Sequence, residues 1–189
     1  NKMHWNEFAK HHKYNPKGAS YDSNLVDLEN RYIISKLKKL KPKSLLDIGC
    51  GNGQRTKLFS KYVKGKTLGI DYSENMIKQA KFLESKNLSF KIGNISKYVD
   101  ITKYDVIVSC RCFINQTSIS NQTKLFKKLH SLLNKKGHLI IAEASVEGLK
   151  NLNSLRKNYG LEPIDEHWFN LHIKEKSIFP KIKPFFGIN

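Results

Sequence analysis

Apolar positions along the chain change period several times, and each change marks an element. Leu25, Leu28, Tyr32, Ile33, Leu37 and Leu40 recur at roughly helical spacing, after an N-cap at Asp22-Ser23 and before Pro42, which stops the helix. Ser44 to Ile48 reads as a strand and Gln54 to Val63 as a helix. A strand over Thr67 to Ile70 follows, then a helix over Glu74 to Glu84 opened by Ser73, and a strand over Leu88 to Ile92. Tyr104 to Ser109 is a strand built on the run Val106-Ile107-Val108. A helix over Asn121 to Leu133 closes near Gly137, a strand spans His138 to Ala142, and a helix over Glu147 to Asn158 ends at Gly160.

Five short strands alternating with helices predict an α/β chain with a Rossmann-like, doubly wound, mostly parallel sheet and helices on both faces. In such sheets a ligand lies beyond the carboxyl ends of the strands, near the switch in strand order. That places the candidate chemistry at residues 47–54, 71–72, 93–95, 109–115 and 143–146. A length of 189 residues suits a single domain. Within it, residues 1–40 read as an N-terminal lid and helices, 41–146 as the ligand-binding core, and 147–189 as a substrate-side segment.

The first strand runs into Leu45-Leu46-Asp47-Ile48-Gly49-Cys50-Gly51-Asn52-Gly53. Glycines let the main chain turn tightly and let a ligand come close to it. A dinucleotide site would use Gly-x-Gly-x-x-Gly to seat a pyrophosphate on the following helix. Here the glycines stand at 49, 51 and 53, and Gln54 occupies the expected third position. Asp47 would repel a pyrophosphate and suits a cationic ligand, such as an amino group or a sulfonium. The second strand leads to Asp71, where an acid can accept hydrogen bonds from both hydroxyls of a ribose. The competing reading is a tight strand-to-helix turn with Asp71 as a helix cap.

Leu-Asp-Ile-Gly-Cys-Gly-Asn-Gly, followed by Leu-Gly-Ile-Asp-Tyr-Ser-Glu-Asn-Met-Ile, resembles the first two motifs of class I S-adenosylmethionine-dependent methyltransferases. The resemblance covers about residues 40–145. It implies that Asp47, Gly49 and Gly51 surround the methionine part of S-adenosylmethionine, with Cys50 and Asn52 also among the cofactor-binding residues and S-adenosylhomocysteine as product. It implies that Asp71 holds the ribose, that Tyr72 and Met76 flank the adenine, and that Asn94, with Ile95, meets the adenine amino group. Ser109 to Phe113 would pass beneath the transferable methyl group.

On the substrate side, Arg111 and Glu143 fall at the carboxyl ends of strands. They are candidates either for substrate contact or for an ion pair that shapes the pocket wall. Methyl transfer relies mainly on positioning, and an oxygen nucleophile also benefits from a base. Glu143, Glu166 and His167 are candidates for that base, so the catalytic set is Glu143, Arg111 and His167. The sparse motifs around 20–29, 111–115, 143–145 and 151–170 are similar to a bacterial methyltransferase group linked to surface-polysaccharide and sugar modification. Trp168 and Trp5 are candidate stacking platforms, with core packing preferred for Trp168 and Phe169. The aromatic stretch Trp5 to Tyr21 could close over the cofactor as a lid.

Composition changes this picture in three places. The formal charge is +18, from 34 basic and 16 acidic residues. Only four of the basic residues are arginine (31, 55, 111 and 156), although arginine is favoured for bidentate phosphate contacts. A lysine surface produced by coding bias is therefore preferred over a polyanion partner. Three cysteines, Cys50, Cys110 and Cys112, suggest neither a disulfide framework nor a zinc site, and no metal is expected. No apolar run approaches the roughly 18 residues needed to span a bilayer, and no signal peptide is evident, so a cytoplasmic location is the default.

The expected function is O-methylation of a small molecule or sugar precursor. The alternatives are an RNA methyltransferase and a non-catalytic S-adenosylmethionine-binding module. Against the RNA reading, the fourth strand is followed by Cys110-Arg111-Cys112-Phe113 rather than an Asn/Asp-Pro-Pro-Tyr/Phe signature. Residues Ile178 to Asn189 are short and contain Pro180 and Pro184, so the last strand pair usual in this family is expected to be missing or truncated.

Overall fold

The structure is a computed structural model, and it describes residues 2–11, 22–166 and 170–187. It divides into two compact units: residues 1–110 with 132–141, and residues 111–131 with 142–189.

The first unit holds the sheet: β1 (Ser44–Ile48), β2 (Lys66–Asp71), β3 (Leu88–Ile92), β4 (Tyr104–Cys110) and β5 (Leu133–Ala142), in spatial order β3-β2-β1-β4-β5. β1 is central and fully apolar where it must be, with Leu45, Leu46 and Ile48 buried. It pairs in parallel with β2, Asp47 opposite Gly69, and with β4, Asp47 opposite Val108. β3 adds in parallel to β2, with Asp71 opposite Ile92. Gly137 abuts the Tyr104 carbonyl and the Arg111 N–H donates to the Ala142 carbonyl, so β5 runs in the same sense as β4. The chain moves outward from β1 in both directions, so the strand order reverses at the carboxyl ends of β1 and β4, as expected for a ligand crevice.

Helices α1 (Lys2–His11), α2 (Ser23–Leu40), α3 (Gln54–Ser60) and α4 (Glu74–Lys81) also belong to this unit. Asp22 caps α2 by accepting the Leu25 N–H at 2.9 Å, and Val26, Ile33 and Leu37 form its buried stripe. Lys41 adopts a left-handed conformation at the end of α2, and Pro42 follows. α3 and α4 each stop three residues before the sequence-based boundary. The N–H groups of Val63 and Leu83 reach back only to Ser60 and Ala80, the tighter pattern in which helices often end. β5 starts at Leu133, earlier than the His138 expected.

The second unit contains α5 (Ile119–Leu132, but for its last residue), α6 (Val146–Asn158) and α7 (Glu175–Ile182). Ser145 caps α6 through the Gly148 N–H. Phe113, Phe126 and Phe186 stack in sequence, with centroids 4.3 Å and 6.3 Å apart, and make its aromatic centre. The segment after residue 169 is tied in by the Leu171 N–H to the Ile114 carbonyl and by a parallel bridge from Ser145 to Ile173. Among the described residues the sheet ends at β5, and no helix is long and apolar enough to cross a membrane.

Candidate cofactor site

The loop between β1 and α3 carries three glycines with positive φ: Gly49 at 68°, Gly51 at 55° and Gly53 at 78°. Each left-handed turn would strain any residue with a Cβ. Gly53 is needed for space as well. A Cβ there would come within 2.7 Å of the Phe90 ring, and one at Gly69 within 2.6 Å. Phe90 lies in a buried cluster with Cys50, Ile77, Ala80 and Leu88, and so clamps the loop against β2. At Gly51 the space is open, with nothing within 4 Å of a Cβ.

Hydrogen-bond accounting then decides what this loop can bind. The N–H groups of Gly49 and Cys50 both donate to the Ile70 carbonyl, at 2.8 and 3.1 Å. The Gly53 N–H donates to the Cys50 carbonyl, and the Gly51 N–H to Asp71 Oδ2 at 3.0 Å. A phosphate cradle needs main-chain N–H groups turned toward the anion. Here those donors are consumed internally, and the loop is flanked by two buried carboxylates. The arrangement suits a ligand that brings its own donors or positive charge.

Asp47, at the end of β1, is buried, and its Oδ2 accepts the Thr56 hydroxyl at 2.6 Å. Burial pushes its carboxyl up to about 6, against smaller opposing effects of the Thr56 hydrogen bond and the Arg55 charge. Arg55 is itself held by Glu29 at 2.9 Å and by Asn30. Asp71, at the end of β2, is also raised by burial, though the N–H groups of Ser73 and Gly51 work against the shift. Ser73 caps α4 and donates its hydroxyl to Asn6 of α1. Asn75 and Gln79 donate to the Asn6 and Ala9 carbonyls, so α1 is fastened to α4 next to Asp71.

The remaining cofactor candidates divide into two groups. Asn52 is buried and accepts the Gln54 N–H, and Tyr72 is half-buried beside Asp71. Asn94 is exposed, and its side-chain oxygen accepts the Ser96 N–H in a local turn. Met76, Ile95, Ser109 and Phe113 are buried; the first three belong to the sheet unit and Phe113 to the other. The Cys50 side chain sits in the Phe90 cluster and its N–H donates to the Ile70 carbonyl, which packs the loop against β2.

The catalytic candidates also shift in meaning. Glu143 Oε1 accepts the N–H groups of Cys112 and Phe113, at 2.7 and 3.1 Å, and Oε2 accepts that of Ile114 at 3.3 Å. Glu143 thereby fixes the turn over Phe113–Asn115. Arg111 has φ 57°, a strained conformation for a residue with a side chain, and the Asn115 side chain donates to its carbonyl. His167, Trp168, Phe169 and the stretch 12–21 of the proposed lid lie outside the described residues. The sequence reading missed His172. It is buried, with Nδ1 3.7 Å from Glu166 Oε1, next to Leu171, whose carbonyl accepts from buried Gln122. A lone histidine among many polar residues gave no signal for it.

A parallel sheet reversing at β1, a glycine loop whose amides at 49, 50, 51 and 53 are spent internally and an acid at or beside the end of each of the first two strands define a Rossmann-like nucleoside-binding domain. A family model described as a methyltransferase domain matches residues 39–182. The chain belongs to the class I S-adenosylmethionine-dependent methyltransferases. It is 30% identical over 156 residues to a ubiquinone biosynthesis O-methyltransferase from Pelagibacter ubique, covering 81% of this chain and 60% of that one. It is 37% identical over 101 residues to a malonyl-[acyl-carrier protein] O-methyltransferase from Ilyobacter polytropus, covering 52% and 38%. Magnesium protoporphyrin IX methyltransferase from Synechocystis, solved with bound SAH, shares the fold with a TM-score of 0.70 at 17% identity, over 97% of this chain and 86% of that one. The chain spans about half the length of the curated relatives it matches.

Proposed function

We propose that this chain transfers a methyl group from S-adenosylmethionine to an oxygen of a small molecule or sugar. The observation that carries the cofactor half is the amide accounting at Gly49, Cys50, Gly51 and Gly53, which leaves a loop fit for a cation beside Asp47 and Asp71. Asp71 accepts the ribose hydroxyls, and Asp47 faces the amino group or the sulfonium. Tyr72 and Asn94 serve the adenine. The bound cofactor supplies an electrophilic methyl on positively charged sulfur. The acceptor oxygen would bond to the methyl carbon as the carbon–sulfur bond breaks, its electron pair staying on sulfur to leave S-adenosylhomocysteine, and the oxygen would release its proton. Arg111 and the turn held by Glu143 orient the acceptor, and His167 or Glu166 takes the proton. Oxygen is favoured over nitrogen because the relatives from Pelagibacter and Ilyobacter are named O-methyltransferases.

Calorimetry with S-adenosylmethionine and S-adenosylhomocysteine tests the cofactor assignment. Tight binding that Asp71→Ala abolishes supports it; unchanged binding in that variant sinks it. Transfer of labelled methyl is then screened against small phenols, nucleotide sugars and total RNA. Label in RNA alone would replace the small-molecule reading, and cofactor binding without any transfer would favour a non-catalytic module.

A further inference from the structure

Helix α6 has no buried residue, and the strap that returns after it, residues 161–166, is exposed along its length. The side chains that join helix and strap are polar. Asn153 donates to the Ile164 carbonyl at 2.9 Å and accepts its N–H at 2.8 Å, and Arg156 Nε donates to the Glu162 carbonyl at 2.7 Å. The apolar side chains are left to solvent: Leu152, Leu155, Tyr159, Leu161 and Ile164 are 44–75% exposed. A surface helix normally has the reverse arrangement. At about 100° per residue, Leu152, Leu155 and Tyr159 fall within about 60° of one another, and Lys150 and Lys157 fall on the far side of the helix. The strap carries Glu162, Asp165 and Glu166, with Arg156 at its border, and no lysine or arginine stands between Lys157 and Lys174. Glu166 lies 3.7 Å from His172, and Glu147, at the start of α6, accepts the N–H groups of Glu175 and Lys176.

Helix α2 repeats this pattern with the opposite charge. Val26, Ile33 and Leu37 are buried, and Leu25, Leu28 and Tyr32, 44–57% exposed, stand on the other side of the helix. Leu25, Leu28 and Tyr32 have the same spacing as Leu152, Leu155 and Tyr159. One and two turns further on, the same side carries exposed Lys36, whose Nζ lies 5.0 Å from the Tyr32 ring, and exposed Lys39. Arg31, Lys38 and Asp27, the last with interactions of its own, lie along one flank. On the other flank Glu29 is paired with Arg55, and Asp22 caps the helix.

We infer that the apolar face of α6 and its strap docks on the outer face of α2 in a second copy of this chain. With the two helices side by side and parallel, leucines and tyrosines on a common spacing interleave. Lys36 and Lys39, beyond Tyr32, then meet Glu162 and Asp165, beyond Tyr159. Exposed apolar patches rimmed by polar residues mark interaction sites, and opposite charge at the rim sets partner and register. A net charge of +18 keeps copies apart where bases meet bases, and the acidic strap is a place where a basic face is attracted instead. The three side-chain hydrogen bonds hold the strap in place before docking, so little order has to be imposed by the contact. The contact joins unlike faces, so it repeats head to tail or closes into a symmetric pair. It uses neither the glycine loop nor the methyl acceptor, and does not depend on the assignment of either.

Sedimentation equilibrium of the full chain, treated with nuclease so that no nucleic acid bridges the copies, tests this. The mass is expected to rise with concentration above that of one chain. Leu155→Ser with Tyr159→Ser, and separately Leu28→Ser with Tyr32→Ser, are each expected to weaken association at least about ten-fold. Val99→Ser with Ile101→Ser, an apolar pair more exposed than either, is expected to change it by less than about two-fold. Charge reversal on one face, Glu162→Lys with Asp165→Lys or Lys36→Glu with Lys39→Glu, is expected to cost about ten-fold. An equimolar mixture of those two variants is expected to recover most of the loss, because each then offers the other a face of opposite charge. All four reversed positions are exposed, so the mixing test holds even where a serine variant fails to fold. A parent that stays monomeric at every concentration would overturn the inference, as would an equal loss in the Val99 and Ile101 control or a mixture no better than its parts. Pelleting with phosphatidylcholine vesicles in place of self-association would assign the face to a membrane and overturn it as well.

Discussion

Asp47→Asn is the most informative single substitution, because it should strengthen the empty fold and weaken the cofactor complex together. Burial raises the Asp47 carboxyl from an ordinary 3.8 to about 6. Near neutral pH the group is still ionised, and holding that charge costs about 3 kcal/mol relative to the unfolded chain, at about 1.4 kcal/mol per pH unit. Asparagine removes the charge and keeps a hydrogen bond with Thr56. Its second amide group needs a partner and returns about 1–2 kcal/mol of the gain. A net stabilisation of about 1–2 kcal/mol remains, a rise of about 3–6 °C in melting temperature for a chain of this size. The sign with pH follows from the raised value. The Asp47 contribution is fully favourable below the unfolded pKa and is lost as pH rises through about 6. The advantage of the variant should therefore shrink by about 2 kcal/mol between near-neutral pH and about pH 4.5.

Binding should move the other way. A lost charge-assisted hydrogen bond of about 1.5–3 kcal/mol corresponds to a loss of roughly ten- to a hundred-fold in affinity. Comparing S-adenosylmethionine with S-adenosylhomocysteine locates the contact: an equal loss assigns Asp47 to the amino group, and a larger loss for S-adenosylmethionine assigns it to the sulfonium. Melting curves at the two pH values and calorimetry with both ligands check the whole argument. A variant that is less stable near neutral pH, or one that binds both ligands as tightly as the parent, would refute it.

Three further substitutions probe the scaffold around this carboxylate. Gly69→Ala drives a Cβ to 2.6 Å from Phe90 and should destabilise by about 1–3 kcal/mol, read by urea unfolding. Glu143→Gln puts a donor against the N–H groups of residues 112–114, and should speed hydrogen exchange there while lowering kcat more than cofactor affinity. Asp105→Ala frees the N–H groups of Lys43 and Ser44 and should cost about 1 kcal/mol near neutral pH. Against the opposing effect of desolvation, the hydrogen bonds from Lys43, Asn134 and Ser44 together with the Lys43 charge hold the Asp105 carboxyl below its usual range, so this loss should fade as pH falls through that range and below it.

The sequence showed most of the sheet because parallel strands buried on both faces read as apolar runs, as in Val106-Ile107-Val108, and helix signals such as Ser73 and Asp22 act over three residues. Residues that act across the fold were harder to read. Glu143 meets the N–H of Cys112, 31 positions away, so its strand-end location gave no sign of the turn its carboxylate holds. Phe90 appeared as an ordinary strand residue, yet its ring is what demands glycine at both 53 and 69. The glycine loop combines both cases. In the sequence it argued against a pyrophosphate through its register, with Gln54 where a third glycine was required, and through the charge of Asp47. The physical reason lies in a different strand. β2 brings the Ile70 carbonyl and the Asp71 carboxylate to the loop, where they take the N–H groups of residues 49–51. A glycine loop with those donors free could hold an anion; with them consumed, it binds through the carboxylates that flank it. Cofactor choice in this fold is therefore set as much by the second strand as by the glycine motif on the first.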